Sequence, residues 1–336
     1  MEIDETIKKV APEIKALINR SSKILLACHP RADFDSVGSV LALGRVLLSL
    51  GKEVTMIAGD TPLPKFAVFY PGSNQILPQN FWQTDLTQFD LFIATDMSAR
   101  SRLSELGVVQ FPANLKTVVI DHHASNESFG EINLVLPQAA ATAEILFQLF
   151  ISWEISLSAE TALCLLLALY GDTGSFRYPN VSSRTLVIAS ELLKLAPDYA
   201  RVIDEIENNE EFERLRFRAM GITKAERFFA GKLIVAAISN AELKRCQITP
   251  EQAGNSGLAS ALRAAAGCIA AVSLTEEAPG QIKFSSRSRN AELCDVSLMA
   301  KHFGGGGHQL AAGAVIKGRS LEQVKTAVLN WFEKNC

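Results

Sequence analysis

A chain of 336 residues is longer than one core of ordinary size organises, so two domains are expected. Apolar residues make up 48% and charged residues 21%, the balance of a soluble globular protein. A net charge of −3 excludes a surface that traps polyanions as a whole. A long nucleic acid would need a local basic patch, whereas small anions held by a metal and a few arginines stay compatible.

Taken in order, Ile3, Ile7, Val10, Ile14, Leu17 and Ile18 recur at helical spacing, which predicts an amphipathic helix rather than a signal peptide. Strands are expected at Lys23–His29, Glu53–Ala58, Asp90–Asp96 and Thr117–Asp121, with a helix over Ser36–Leu50 and proline-rich loops with one short helix from Asp60 to Gln88. Strands alternating with helices predict an α/β fold, a doubly wound and mainly parallel sheet. After His123 the pattern turns helical, with Ala139–Trp153, Ser158–Leu169 and Ser182–Leu195 as helices. A charged helical stretch follows, and Lys232–Ser239 opens a second domain. That domain has a hairpin (Cys268–Leu274, Gln281–Ser286), a helix at Leu293–His302, a strand at Gly313–Ile316 and a helix at Leu321–Phe332. The expected boundaries are 1–195, a helical linker over 196–230, and a smaller α/β domain over 231–336.

Six scattered cysteines with no C-x-x-C pair argue against a thiolate zinc site and a disulfide scaffold, and they suit a reduced cytoplasm. Cys28 reads as a core cysteine. The most apolar run, Ala162–Tyr170, is shorter than the roughly 20 residues of a bilayer span, so no membrane partner is expected.

Four strand ends or their equivalents carry hard ligands: His29-Pro-Arg-Ala-Asp33-Phe-Asp35, Asp96, Asp121-His122-His123, and Gly171-Asp172-Thr173-Gly174. Ligands in open α/β sheets gather at the carboxyl ends of such strands. Singly, each has a plainer reading: Asp33 or Asp35 as a helix N-cap, Asp172 as a turn residue, the histidines bonded to backbone carbonyls. Together, so many carboxylates in one cleft would repel one another without cations. An oxygen and imidazole shell without sulfur suits two divalent ions, Mn²⁺ first, with Mg²⁺, Co²⁺ or Fe²⁺ as alternatives. Two such ions, roughly 3.5–4 Å apart, would turn a bridging water into hydroxide and hold phosphoryl oxygens for in-line attack on phosphorus.

In this order the motifs resemble the DHH phosphoesterases, in the RecJ-like branch of NrnA-like nanoRNases and pAp phosphatases. The first domain carries His29-x-x-x-Asp33-x-Asp35, Asp96, Asp121-His122-His123 and Asp172-Thr-Gly. The second resembles the DHH-associated C-terminal domain through Ser286-Arg287-Ser288 and Phe303-Gly-Gly-Gly-Gly-His308-x-x-Ala311-Ala312-Gly313. The resemblance implies that His29, Asp33 and Asp96 bind one metal, and that Asp35, Asp96, His122 and Asp172 bind the other. It implies that His123 faces the scissile phosphate as donor or acid, while Asp121 supports the loop or the His122 tautomer. Ala32 and Met97 depart from the family's usual Pro and Thr or Ser without removing a ligand. Arg102 reads equally as a substrate contact and as a solvated surface arginine.

The glycine run lacks the spacing of a dinucleotide fingerprint. Gly305, Gly306 and Gly307 would let backbone approach a base or phosphate, with His308 stacking and Arg287 forking a phosphate. The implied activity is hydrolysis of short 5′-phosphorylated single strands (nanoRNA, pApA) to mononucleotides, and of pAp. A cyclic di-AMP phosphodiesterase is the near alternative, and a non-catalytic nucleotide sensor the alternative of another class. The oligomeric state stays open, a homodimer included.

Overall fold

The computed structural model of the protein describes residues 3–254 and 256–336. The chain forms two compact units that meet in sequence at Asn208 and Asn209.

In the first unit, β1 (Lys23–Ala27), β2 (Glu53–Ile57), β3 (Ile76–Leu77), β4 (Leu91–Thr95), β5 (Lys116–Asp121) and β6 (Ile132–Val135) form one sheet in the order β3-β2-β1-β4-β5-β6. Every pair is parallel. The apolar runs are continuous because both faces are covered. Alternate residues therefore go to different cores. Ile24 and Leu26 of β1 pack with helices, whereas Leu25 and Ala27 pack with Phe81, Phe92, Met97 and Val109. The helical face is built from α1 (Glu5–Arg20), α2 (Phe34–Ser49), α3 (Thr142–Ser152), α4 (Ala159–Asp172), α5 (Ser183–Leu195) and α6 (Tyr199–Glu207). The other face is covered by irregular chain around Phe81–Phe89 and Met97–Leu115. The strand order reverses between β1 and β4, which opens a crevice at their carboxyl ends.

Sequence patterning misses β6. Its Ile-Asn-Leu-Val is too short to show alternation, and it becomes a strand by pairing with β5 while burying Leu134. The proline-rich stretch holds three short 3₁₀ turns and β3 in place of one short helix.

The second unit opens with α7 (Phe212–Thr223) and contains β7 (Glu226–Phe228), β8 (Leu233–Ile238), α8 (Asn240–Arg245), α9 (Pro250–Gly254), α10 (Leu258–Arg263), β9 (Ala270–Ala278), β10 (Gln281–Ser288), α11 (Val296–His302), β11 (Gly306–His308), β12 (Ala311–Lys317) and α12 (Leu321–Asn335). Its sheet runs β11-β12-β10-β9-β8-β7 and is mixed, with only the β8–β9 pair parallel among the described residues. Leu233, Val272 and Phe284 face the core shared with Val296, Met299 and Phe332 of α11 and α12, while Ile234 and Ala271 pack with Phe217, Leu258 and Leu262 on the other face.

One pair among the scattered cysteines is bridged. Cys294 and Cys336 form a disulfide, with Cα atoms 5.0 Å apart. They stand 42 residues apart in sequence, so spacing gives no hint of it. Cys28, Cys164, Cys246 and Cys268 are unbridged, and burial pushes the Cys28 thiol up to about 12. No helix among the described residues is long and apolar enough to cross a membrane.

Candidate metal centre

The carboxyl ends of β1, β4 and β5 and the end of α4 carry the candidate ligands. His29 stands two residues past β1, Asp96 directly follows β4, Asp121 closes β5, and His122 and His123 follow it. Asp96 adopts φ 61°, a strained left-handed conformation for a non-glycine residue.

Asp172 is the last residue of α4, and the chain turns after it, with Gly174 at φ 54°. Gly171 serves packing: a Cβ there would lie 2.2 Å from Cβ of Phe34. Gly171→Ala is expected to cost about 1–3 kcal/mol by overpacking and to displace Asp172. Denaturant melting and metal content measured together check this, and a variant with wild-type values of both would refute it.

The side chains converge. His29 Nε2 lies 3.7 Å from Asp33 Oδ1 and 3.4 Å from Asp96 Oδ2. His122 Nε2 lies 3.6 Å from Asp96 Oδ1 and 3.1 Å from Asp172 Oδ2. Three overlapping groups result: His29–Asp33–Asp96, Asp35–His122–Asp172, and Asp96–Asp121–His122–His123, with ligand atoms inside each group within 4.8 Å of one another.

Supporting contacts fix these groups. Asp33 is also the N-cap of α2, accepting from Ser36 N at 3.0 Å, so the plain reading of Asp33 and the ligand reading coexist. Asp35 is fully buried and accepts from Thr142 N, Ala143 N and Ser39 Oγ at 2.6, 3.1 and 3.0 Å. Two of these donors are first-turn amides of α3, whose dipole favours a carboxylate. The His122 tautomer is set by the carbonyl of Ala139, 3.3 Å from Nδ1. Asp121 therefore supports His123 rather than His122: its Oδ1 lies 2.8 Å from His123 Nδ1, and its Oδ2 accepts from Asn126 Nδ2 at 2.5 Å.

Sequence reading missed Thr142, Asn126, Ala139 and Asn180, because none stands at a diagnostic spacing from a ligand. Asn180 donates through Nδ2 to the carbonyls of Ala140 and Asp172, at 3.0 and 3.1 Å, and so ties the His122 support to Asp172. Asn180→Ala is expected to weaken metal binding by about 10–100-fold, as loss of an outer partner of metal ligands does. A metal titration that shows unchanged affinity would remove this role.

The electrostatics ask for cations. Burial, with the charges of Asp96 and Asp172, raises the Asp35 carboxyl well above its ordinary range. Burial also pushes Asp96 up to about 6, against the pull of His29. For the imidazoles burial acts the other way but loses: Asp33 and Asp96 push His29 up to about 11, and Asp172, Asp35 and Asp96 push His122 up to about 10. Six oxygen and nitrogen ligands without sulfur, in a field that draws positive charge even into buried imidazoles, fit hard or borderline divalent ions. Ligation requires the imidazoles in their neutral form, so protons compete with metal. Metal affinity is expected to rise with pH through the neutral range. Calorimetry in buffers of different ionisation heat should show about two protons released on loading, and an absence of proton release would contradict it.

The remaining predicted residues are described each in its own unit. Arg102 is exposed, in a 3₁₀ turn at Arg100–Arg102. In the second unit, Arg287, Ala311 and His308 are in register across β10, β12 and β11, so the arginine and the exposed histidine share a face at the sheet edge. The glycine run is partly a strand. Gly305 and Gly307 are required by the fold, since a Cβ would lie 2.2 Å from Gly313 O and 2.6 Å from Ala311 O, whereas one at Gly306 would meet nothing within 4 Å.

Residues 23–169 match the DHH family, N-terminal domain, and residues 231–334 match the DHHA1 domain. A bifunctional oligoribonuclease and PAP phosphatase NrnA of Thermus thermophilus is 31% identical over 97% of this chain and 93% of its own length. The protein of that name from Bacillus subtilis is 25% identical over 90% of this chain and 92% of its own. The crystal structure of an exopolyphosphatase-related protein from Bacteroides fragilis superposes with a TM-score of 0.83 at 25% identity, covering 97% of both chains. With its ligand-bearing strand ends and this end-to-end similarity, the chain belongs to the DHH family, a DHH N-terminal domain followed by a DHHA1 domain.

Proposed function

We propose that this metal-dependent phosphoesterase hydrolyses short 5′-phosphorylated oligonucleotides, nanoRNA and pApA, to mononucleotides, and pAp to AMP. The observation that carries the reading is the convergence of His29, Asp33, Asp35, Asp96, His122 and Asp172 into overlapping ligand groups. The relatives named for oligoribonuclease and PAP phosphatase activity, which match nearly end to end, support the substrate class. We assign His29, Asp33 and Asp96 to one ion and Asp35, Asp96, His122 and Asp172 to the other, with Mn²⁺ as the preferred ion. Such ions, when bound, lower the pKa of a water and neutralise phosphoryl oxygens. Asp121 accepts from His123 Nδ1, which leaves Nε2 to donate its proton to the phosphate or the departing oxygen.

The second unit is proposed to bind the nucleotide through Arg287, His308 and the open backbone of Gly306. Arg287→Ala or His308→Ala is expected to raise KM for pApA by about tenfold, the loss of one charge-assisted contact, while sparing a small generic phosphodiester. Equal loss on both substrates would refute this division of labour. The test of the whole reading is product chromatography after Mn²⁺ is added with equimolar pApA, pAp, cyclic di-AMP and a short 5′-phosphorylated RNA. AMP from pApA and mononucleotide from the RNA end are expected. Cyclic di-AMP consumed ahead of both, or no product at all, would overturn it.

A further inference from the structure

The carboxyl edge of the first unit's sheet carries an indole that the metal centre does not use. Trp82 stands five residues past the end of β3 and is 53% exposed, while Phe81 beside it is buried. The ring is fixed in place despite its exposure. Its backbone amide donates to Asn80 Oδ1 at 3.0 Å, and its Nε1 donates to Ser104 Oγ at 3.0 Å. Ser104, itself buried, donates on to Asp60 Oδ2 at 2.8 Å, and the same oxygen accepts from Glu105 N at 2.6 Å. Gly107 lies against the six-membered ring: a Cβ there would stand 3.3 Å from Cζ2 and 3.6 Å from Cη2. The ring is backed by this loop and its single donor is spent, so what it offers to solvent is an aromatic surface.

The same bonds tie the indole to the loop that bears two of the candidate metal ligands. Asp60 and Thr61 follow β2, the neighbour of β1, and Thr61 Oγ1 accepts from Arg31 N at 2.6 Å. Arg31 lies midway between His29 and Asp33, and its guanidinium pairs with Glu105. Gly59 is pressed against the residue before His29, since a Cβ there would stand 2.7 Å from the Cys28 carbonyl oxygen. Trp82 and the ligands therefore occupy one edge of one sheet. β3 and β1 are two strand spacings apart, about 10 Å, whereas stacked bases follow one another at about 3.4 Å. A single strand with a phosphate at the metal centre spans that gap within a few nucleotides. The one base of pAp does not.

We propose that Trp82 is a base-stacking platform, on which the open face of the indole receives a base of the single strand beyond the nucleotide held at the metal centre. It thereby favours longer substrates over pAp, an inference that rests on the oligonucleotide reading above. Stacking on an aromatic ring tolerates any base, because every base has a π-face. The test is steady-state kinetics of the Mn²⁺-loaded, full-length enzyme on pAp and on 5′-phosphorylated tetra-adenylate. Trp82→Ala is expected to raise KM for the tetranucleotide by about tenfold, the scale of one base–aromatic stack. Its kcat on that substrate, and both constants on pAp, are expected to stay at wild-type values. Trp82→Phe is expected to recover most of the loss, and Trp82→Leu, which keeps apolar bulk without a ring, to recover none. An unmoved KM for the tetranucleotide, an equal rise for pAp, or a leucine variant as good as wild type would each overturn the platform. Self-association lost in Trp82→Ala, with both KM values kept, would assign the ring to a second copy of the chain and overturn it as well. Wild-type protein that cleaves neither substrate would overturn the oligonucleotide reading and this inference with it.

Discussion

Asp96→Ala is expected to abolish turnover and metal occupancy together, with activity down on the order of a thousandfold or more when a metal-activated nucleophile is lost. Asp96 is the one residue shared by the His29 group and the His123 group, and its carboxylate lies within 3.7 Å of all three imidazoles. Removing it dismantles both ends of the constellation at once. Asp96→Asn keeps the volume and the hydrogen-bonding capacity but loses the charge, and it is expected to fail equally. Metal analysis by mass spectrometry alongside steady-state rates checks the pair. Full metal content with no activity would move Asp96 from the ligand shell to the chemistry. Full activity would remove it from the site.

Changes at His123 are expected to cut the rate while leaving metal content unchanged. His123→Ala removes the proposed acid, with an effect of about 10²–10⁴-fold. Asp121→Asn is the sharper probe. The Asp121 hydrogen bond raises the His123 imidazole above its ordinary value, against burial. Burial opposes ionisation of Asp121, but the bonds from His123 and Asn126 hold its carboxyl below the usual range. A raised imidazole keeps its proton to higher pH, so the alkaline limb of kcat/KM lies above the ordinary histidine value. Without the carboxylate the limb moves to lower pH. The pair's contribution to stability has the matching window: it is lost as pH falls through the depressed Asp121 value, and again as pH rises through the raised His123 value. An alkaline limb that stays in place in Asp121→Asn would separate His123 from the proton transfer.

How much of this was legible beforehand follows from how local each signal is. The runs at Leu91–Thr95 and Lys116–Asp121 are apolar throughout and end on an acid, so both the strand and its functional end are written in a few adjacent residues. The same holds for the Ser182 cap of α5 and the helix from Leu321. Ile132–Val135 and Gly306–His308 are too short to carry a period, and they are strands because a longer neighbour offers its edge. The packing role of the glycine run is hidden for a related reason. Two of its glycines are needed by the neighbouring strand, and this appears only once β12 lies beside them.

At the centre itself, local sequence is enough to place most of the candidate ligand atoms at the carboxyl ends of strands, which the sheet's polarity brings together. Which atoms face which depends on contacts between distant segments. Asp121 reaches His123 instead of His122, the amides of α3 hold Asp35 across more than a hundred residues of chain, and Asn180 joins Ala140 to Asp172. Cys294 finds Cys336 in the same way. A residue's type and local pattern set what it can donate or bind. The partner it meets is settled when distant segments close on one another, driven by burial of the strands and helices that carry them.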